Sequence, residues 1–165
     1  MKRPIDNCYW VVEGSLLAGE YPRTKDEDTS RTKVNALLES GVSVFVDLTE
    51  VDEGLLPYDG LIGDVAHHRS PIKDMSVPGS PDEMARILDA IDRFVDEGRM
   101  VYVHCWGGVG RTGVVIGCWL ARRHGGQEAL SELRALWRQC PKSVLRDSPE
   151  TADQRSYIAQ WRTGQ

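Results

Sequence analysis

One segment constrains this chain more than any other: a short hydrophobic run that leads through a glycine-rich turn into a helical pattern. Met100–His104 has the composition of a buried strand, and the apolar residues beyond Arg111 recur at helical spacing. Between them lie three glycines, which allow the backbone to turn tightly. Because the turn is short, Cys105 and Arg111 stand at the two ends of one loop.

This loop has the composition of an anion-binding site. Its backbone N–H groups and the positive end of the following helix suit a tetrahedral anion. The same field favours the thiolate form of Cys105, and Arg111 supplies a planar, two-pronged donor that matches two phosphate oxygens. The Thr112 hydroxyl follows directly and is placed to donate to the sulfur when it leaves as a thiolate. The predicted binding residues besides Arg111 are Trp106, Gly107, Gly108, Val109 and Gly110.

Two other interpretations of the loop are weaker. The segment Gly108–Gly113 formally matches the dinucleotide-binding pattern G-x-G-x-x-G between a strand and a helix. However, that fold requires further strand–helix repeats downstream, and residues 114–165 predict helices only. A chance pairing of a buried Cys105 with a surface Arg111 is equally improbable, because six positions of the run are constrained.

The run His104-Cys105-x-x-Gly108-x-x-Arg111-Thr112 resembles the active-site signature of the protein tyrosine phosphatase superfamily. The short chain is similar to the dual-specificity branch of that superfamily, and the similarity extends from about Glu13 to Trp161. The resemblance implies that Cys105 is the nucleophile, that Arg111 and the loop amides bind phosphate, and that Thr112 aids departure of the thiolate. It also implies that His104 orders the loop.

A general acid is expected on a separate segment, because a departing alkoxide or phenoxide requires a proton. Asp74 lies in the polar segment Pro71–Pro78, before a helix and the catalytic strand, which resembles the dual-specificity arrangement. Asp64 and Asp82 are rival acids. Asp47 ends an apolar strand, a position that favours a structural role.

Hydrolysis of the phosphocysteine then requires a positioned water. Gln154 shares a helical face with Tyr157, Ile158 and Trp161, so its amide is predicted to face inward. The segment resembles the C-terminal helix of small family members. Two roles remain open for Gln154: it positions the catalytic water, or it bonds to core backbone.

The remaining patterns predict strands early in the chain and helices late in it. The best-marked helix has Ser80 as cap, Pro81 at its first position, Glu83 completing a capping box and Gly98 at its end. Besides Met100–His104, the predicted strands are Val42–Leu48 and a short one within Val65–Ile72. The other predicted helices are one around Val34–Leu38 ended by Gly41, Thr112–His124, Gln127–Gln139 and Pro149–Arg162; the predicted loops include Arg23–Thr32 and Val51–Gly63. This order indicates an α/β fold, a central, mainly parallel sheet flanked by helices, in a single domain over residues 1–165.

Charge and composition restrict the partners. The chain has 20 basic and 25 acidic side chains and a net charge of −5, which gives no reason to expect a nucleic acid or a membrane as partner. No apolar stretch has the length of a signal peptide or a membrane span, and the scattered cysteines favour a reduced, cytoplasmic protein. A monomer is expected. No cofactor is expected. No metal is expected either, because adjacent His67 and His68 face opposite sides of a strand. The resemblance also raises a disulfide between Cys105 and either Cys8 or Cys140.

The predicted function is therefore cysteine-dependent hydrolysis of phosphomonoesters. No dedicated phosphotyrosine-recognition segment is evident, which predicts a shallow, permissive pocket. The default substrate is therefore phosphotyrosine, with some phosphoserine and phosphothreonine. The loop interior has no lysine, which makes a phosphoinositide less favoured. The alternatives are a nucleotide, RNA or lipid phosphate as substrate, a phosphate-binding module without turnover, and a sulfur or arsenate oxidoreductase; relatives of the last kind carry such a loop near the N-terminus.

Overall fold

A five-stranded sheet with helices on both faces organises the chain, as the sequence predicts. The computed structural model describes residues 1–165. The strands are β1 (Cys8–Val12), β2 (Leu16–Gly19), β3 (Val42–Asp47), β4 (Ala66–Arg69) and β5 (Met100–His104). They lie in the order β1-β2-β5-β3-β4. All neighbouring pairs are parallel except β1 and β2.

The helices divide unequally between the two faces. They are α1 (Glu27–Glu39), α2 (Asp59–Ile62), α3 (Pro81–Asp96), α4 (Gly110–His124), α5 (Gly126–Trp137) and α6 (Ala152–Gln160), with a 3-10 helix over Pro141–Val144. A core of 29 buried residues joins one face of the sheet to α3–α6, whereas 13 buried residues join the other face to α1 and α2. The alternation of strand side chains separates the two cores, since Val44 and Val46 face the larger core and Phe45 the smaller one.

Several element boundaries differ from the sequence prediction, mostly because of caps. Helix α1 begins inside the predicted loop Arg23–Thr32, because Asp26 accepts a hydrogen bond from the Thr29 N–H at 2.8 Å. Helix α6 begins at Ala152 rather than Pro149, because Thr151 caps it. Ser80 caps α3 as predicted, but the Glu83 carboxylate accepts from Gly79 instead of closing the capping box. Strand β1, the short helix α2 and the 3-10 helix were not predicted.

The parallel strands bring three loops together at one edge of the sheet. Strands β3, β4 and β5 run in the same direction, so their carboxyl ends lie side by side. The segments that follow them are residues 48–58, 70–80 and 105–111. These three loops build the site described next.

Candidate active site

The 105–111 loop is held with its carbonyl groups outward. Three of them accept hydrogen bonds from other parts of the chain: Trp106 from the Tyr21 N–H at 2.9 Å, Gly107 from Lys142 Nζ at 2.9 Å and Val109 from the Ser148 hydroxyl at 2.8 Å. A carbonyl and the next N–H point in opposite directions across a trans peptide. The N–H groups of Gly107, Gly108 and Gly110 therefore face the inside of the loop.

Cys105 lies within this loop with 3% of its surface exposed. The Gly108 N–H donates to its Sγ at 3.3 Å. The N–H groups of the other loop residues find no acceptor in the chain; they belong to Trp106, Gly107, Val109, Gly110 and Arg111. A group of free amides beside a buried sulfur provides what a tetrahedral anion requires.

Arg111 is buried and its guanidinium is fastened along one edge. Nη1 donates to the Ile72 carbonyl at 3.0 Å, and both terminal nitrogens bond the Glu53 carboxylate, with Nη2 at 3.0 Å from Oε2. Nη2 also lies 3.1 Å from Asp74 Oδ1. Burial acts to lower the pKa of Arg111, but the Glu53 carboxylate, followed by Cys105 and Asp74, raises it above its ordinary value. Its Nε–H, although buried, has no partner.

The two carboxylates beside Arg111 differ in their surroundings. The Glu53 side chain is 16% exposed, and both of its oxygens accept hydrogen bonds. Its partial burial alone would raise the pKa of Glu53, but the bonds from Arg111 and the Glu50 N–H hold that pKa below its ordinary value. The Asp74 side chain is 60% exposed and touches Arg111 through one oxygen. Asp74 is therefore exposed and held by a single contact, whereas Glu53 is a partly buried anion that orients Arg111.

The rival acids lie away from this group. Asp64 is exposed ahead of β4, and Asp82 is exposed in the first turn of α3. Asp47 is fully buried and accepts from Thr49, His67 and Arg69. Burial opposes its ionisation, but the bonds from His67 and Thr49 and the nearby His104 hold the pKa of Asp47 well below its usual range. This carboxylate stabilises the end of β3, the structural role that the sequence favours.

His104 is buried under the 105–111 loop. Its Nε2 lies 2.6 Å from the Tyr58 hydroxyl, and its Nδ1 lies 3.2 Å from the Cys105 carbonyl. Burial lowers the pKa of His104 to about 4, so the ring is neutral near pH 7. A neutral ring has one donor, and the Cys105 carbonyl can only accept, so Nδ1 carries the proton and Tyr58 donates to Nε2. This chain of bonds anchors the backbone of Cys105.

Thr112 and Gln154 are both buried. Thr112 has a partner other than the expected sulfur, whereas Gln154 bonds to backbone groups, which is one of the two roles left open for it. The Thr112 hydroxyl donates to the Gly19 carbonyl at 3.5 Å and makes no hydrogen bond to Cys105. Gln154 Oε1 accepts from the Glu150 and Thr151 N–H groups, as part of the α6 cap. Its Nε2 donates to the Ser76 carbonyl at 3.0 Å, which fastens the loop that carries Asp74. Since an amide nitrogen has two hydrogens, one N–H of Gln154 remains free.

Three contributing residues were missed by sequence reasoning. Glu53 and Tyr58 both lie in the predicted loop Val51–Gly63, and Lys142 lies in the unpredicted 3-10 helix. Lys142 also binds Glu20 at 2.7 Å, so it links the 105–111 loop to the strand β2 region. No local signal distinguishes these three side chains, because each acts on a residue distant in sequence.

The other cysteines and histidines lie outside this group. All four cysteines are free, and Cys118 is buried in α4. No group of three or more potential ligand residues is arranged to hold a metal ion. None of the helices combines the length and the apolar character needed to cross a membrane. A disulfide of Cys105 with Cys8 or Cys140 stays a prediction.

Substitution of Gly108 by alanine is expected to destabilise the site. Gly108 has φ +72°, and a Cβ there would lie 2.5 Å from the carbonyl carbon of Gly19. Left-handed backbone and overpacking together should lower the free energy of unfolding by about 2 to 5 kcal/mol. Denaturant titration measures this loss. Gly60→Ala is the control, because its Cβ meets nothing within 4 Å; equal stability of the two variants would contradict the prediction.

Comparison with known proteins identifies the family. Residues 19–126 match a family described as "Tc-R-P: Polymorphic toxin system, DSP-PTPase phosphatase". The chain belongs to this DSP-PTPase family. "Putative tyrosine phosphatase 067L" of Invertebrate iridescent virus 3 is 34% identical over 121 residues, which are 71% of this chain and 47% of the viral protein. A protein of Methanocaldococcus jannaschii is 32% identical over 91 residues, 55% of this chain and 56% of that one. The chain thus spans about half the length of these curated relatives.

Two solved structures share the fold of this chain. Tk-PTP in its active form is 26% identical with a TM-score of 0.73, and the match covers 94% of this chain and 95% of Tk-PTP. TpbA of P. aeruginosa, solved as a cysteine-to-serine variant in complex with pTyr, has a TM-score of 0.69 at 18% identity. That match covers 97% of this chain and 87% of TpbA. At this lower identity the similarity concerns the fold.

Proposed function

We propose that this DSP-PTPase hydrolyses phosphomonoesters in two steps through a phosphocysteine on Cys105. The observation that carries the proposal is a buried sulfur among free loop amides, in the same loop as a buried arginine whose Nε–H has no partner. Membership of the family supports the same activity. A module that only bound phosphate would have no use for an exposed carboxylate beside Arg111.

In the first step the Cys105 thiolate attacks phosphorus and a sulfur–phosphorus bond forms. The bond from phosphorus to the leaving oxygen breaks, and that oxygen takes the proton of Asp74. Two phosphate oxygens, one bound to Nε and one to Nη2 of Arg111, would replace Asp74 at Nη2 and release its carboxyl group for this transfer. Glu53 stays on the opposite edge of the guanidinium and holds it in place.

In the second step water attacks the phosphocysteine. The oxygen of water bonds to phosphorus, its proton passes to the Asp74 carboxylate, and the sulfur–phosphorus bond breaks to return the thiolate. The free N–H of Gln154 positions this water, while its other bond fastens the Asp74 loop at Ser76. The Thr112 hydroxyl rotates from Gly19 to the departing sulfur. The products are inorganic phosphate and the unmodified enzyme.

The rim of the site favours an aromatic phosphoester on a protein. The Trp106 side chain, 63% exposed, and the exposed Met75 both flank the site with apolar surface. Such surface suits the ring of phosphotyrosine and the apolar residues beside it. The complex of TpbA with pTyr supports the same substrate class. We propose phosphotyrosine as the preferred substrate, with phosphoserine and phosphothreonine as slower ones, and a monomer in a reducing, cytoplasmic environment that keeps the four cysteines free.

The assignment of Asp74 as the acid is tested by the leaving-group dependence of turnover. Asp74→Asn should lower kcat for a phosphotyrosyl peptide about 100-fold, because a poor leaving group requires the proton. The loss should be much smaller with para-nitrophenyl phosphate, whose leaving group is stable as an anion. Glu53→Gln should instead lower the turnover of the peptide and of para-nitrophenyl phosphate by the same factor as each other. The reason is that this substitution removes the carboxylate that holds the Arg111 guanidinium in place.

Asp64→Asn is the matched control, since Asp64 is an exposed loop aspartate without a role in the site. Unchanged phosphotyrosine turnover in Asp74→Asn would show that the acid is misassigned. Absence of any turnover by the unmodified protein, with either substrate, would overturn the proposed function itself.

A further inference from the structure

A second concave site lies between the edge strand β4 and helix α3. It encloses about 720 Å³, a volume typical of ligand sites. We call it the β4–α3 cleft. Its walls are His68–Pro71 with Pro78 on one side and Glu83, Arg86, Ile87, Asp89, Ala90 and Arg93 of α3 on the other. None of these side chains has a role in the proposed reaction.

Two positive charges in the cleft are not engaged in ion pairs. Arg86 and Arg93 are exposed, and neither forms an ion pair within the chain. The two carboxylates are engaged elsewhere: Glu83 accepts from the Gly79 N–H at 2.8 Å, and Asp89 pairs with Arg122 at 2.9 Å. Two guanidinium groups therefore line the cleft with no carboxylate within ion-pair distance of either one.

The spacing and surroundings of the two arginines suit an extended ligand. They are separated by about 10.5 Å along the helix, because the rise is about 1.5 Å per residue. This is close to the span of three residues of an extended chain, at about 3.3 Å each. The Arg93 guanidinium lies over the Phe94 ring at 4.9 Å, and that ring contacts His68 edge-on. Arg93 is therefore held toward the strand side of the cleft.

Strand β4 offers free main-chain groups along the same cleft. It is the last strand of the sheet and pairs only with β3. The Ser70 N–H bonds inward to the Asp47 carbonyl at 2.8 Å. Because successive residues of a strand alternate in direction, the main-chain groups of His67 and Arg69 point to the open edge. An extended peptide can add to such an edge.

The cleft adjoins the segment that carries the proposed acid. Pro71 and Pro78 both line it, and Asp74 lies between them in sequence, beside Arg111. Strand β4 ends at the same edge of the sheet as β5, which leads into Cys105. A peptide chain lying in the cleft would therefore continue toward the 105–111 loop.

We infer that the β4–α3 cleft binds an acidic, extended segment beside the phosphorylated residue of a protein substrate, with Arg86 and Arg93 as the specificity-determining side chains. The inference rests on the proposed phosphatase function. It adds a sequence preference to that function: glutamate or aspartate residues a few positions from the phosphotyrosine.

The experiment compares three phosphotyrosyl peptides of equal length. One carries four glutamates on the amino-terminal side of phosphotyrosine, one carries them on the carboxyl-terminal side, and one carries glutamines at all of these positions. One of the two acidic peptides should have a kcat/KM roughly fivefold to tenfold above the glutamine peptide, the size expected for two exposed ion pairs. The double substitution R86E/R93E should remove this advantage and leave turnover of para-nitrophenyl phosphate unchanged.

The matched control is R134E/R138E, the same change of charge at two exposed, unpaired arginines of the α5 segment. It should keep the preference for the acidic peptide. Equal turnover of all three peptides, or an equal loss in the control, would overturn the inference and leave the phosphatase function standing.

A second measurement does not need turnover. Fluorescence anisotropy gives the affinity of the Cys105→Ser variant for each of the same three peptides. The acidic preference in affinity should disappear when R86E/R93E is added. If the unmodified enzyme hydrolyses neither para-nitrophenyl phosphate nor any peptide, the proposed function fails instead, and the affinities alone decide whether the cleft recognises acidic segments.

Discussion

Replacement of Cys105 by serine is expected to lower kcat for para-nitrophenyl phosphate by at least about 10⁴-fold. A serine hydroxyl is far less acidic than a thiol, so it provides no comparable nucleophile at neutral pH. The loop itself should survive, because its carbonyls are held by Tyr21, Lys142 and Ser148 rather than by the sulfur. Vanadate or phosphate should therefore still bind, which isothermal titration calorimetry measures.

The control for this prediction is Cys8→Ser. Cys8 is buried, donates to the Ile5 carbonyl at 3.1 Å, and a serine hydroxyl can make the same bond. Burial raises the pKa of Cys8 to about 11, so it is not an ionised nucleophile. Its substitution should leave turnover intact. Rapid acid quench with ³²P-labelled substrate should place the label on the peptide that contains Cys105; measurable turnover by Cys105→Ser would refute the covalent mechanism.

The second large effect is expected for Arg111→Lys, which keeps the positive charge but removes the planar, two-pronged guanidinium. Lysine cannot bond two phosphate oxygens in a plane and also hold Glu53, so kcat/KM should fall by about 10² to 10³-fold. Affinity for vanadate should fall with it. Arg134→Lys, at an exposed and unpaired site, should change neither quantity.

Arg111 also bonds the Leu48 and Ile72 carbonyls, so stability is measured in parallel. A folded Arg111→Lys protein that keeps its vanadate affinity and its kcat/KM within threefold would show that the guanidinium is not the phosphate ligand. Comparison with Glu53→Gln distinguishes the edge of the guanidinium that binds Glu53 from the edge proposed to bind phosphate. Glu53→Gln keeps the guanidinium but removes the carboxylate that holds it, so the fall in kcat/KM should be smaller than for Arg111→Lys.

Local patterns were sufficient for much of the fold. The strand Met100–His104 has the predicted bounds, and Ser80 and Pro81 begin α3 where predicted. These elements depend on residues a few positions apart, which the sequence displays directly. The boundaries that moved, at α1 and α6, depend on which of several capping residues is used, as Asp26 and Thr151 show. Strand β1 was missed because its role depends on pairing with β2.

The sequence alone was enough to predict the chemistry proposed for the 105–111 loop, because Cys105, the loop amides and Arg111 are contiguous and their geometry follows from one strand, one turn and one helix. Only the tertiary structure decided how that loop is supported. Glu53 reaches Arg111 across 58 positions, Tyr58 reaches His104 across 46, and Gln154 reaches Ser76 across 78. The physical reason is the parallel sheet, which collects at one edge loops that are far apart along the chain, so that no local pattern marks the residues that meet there.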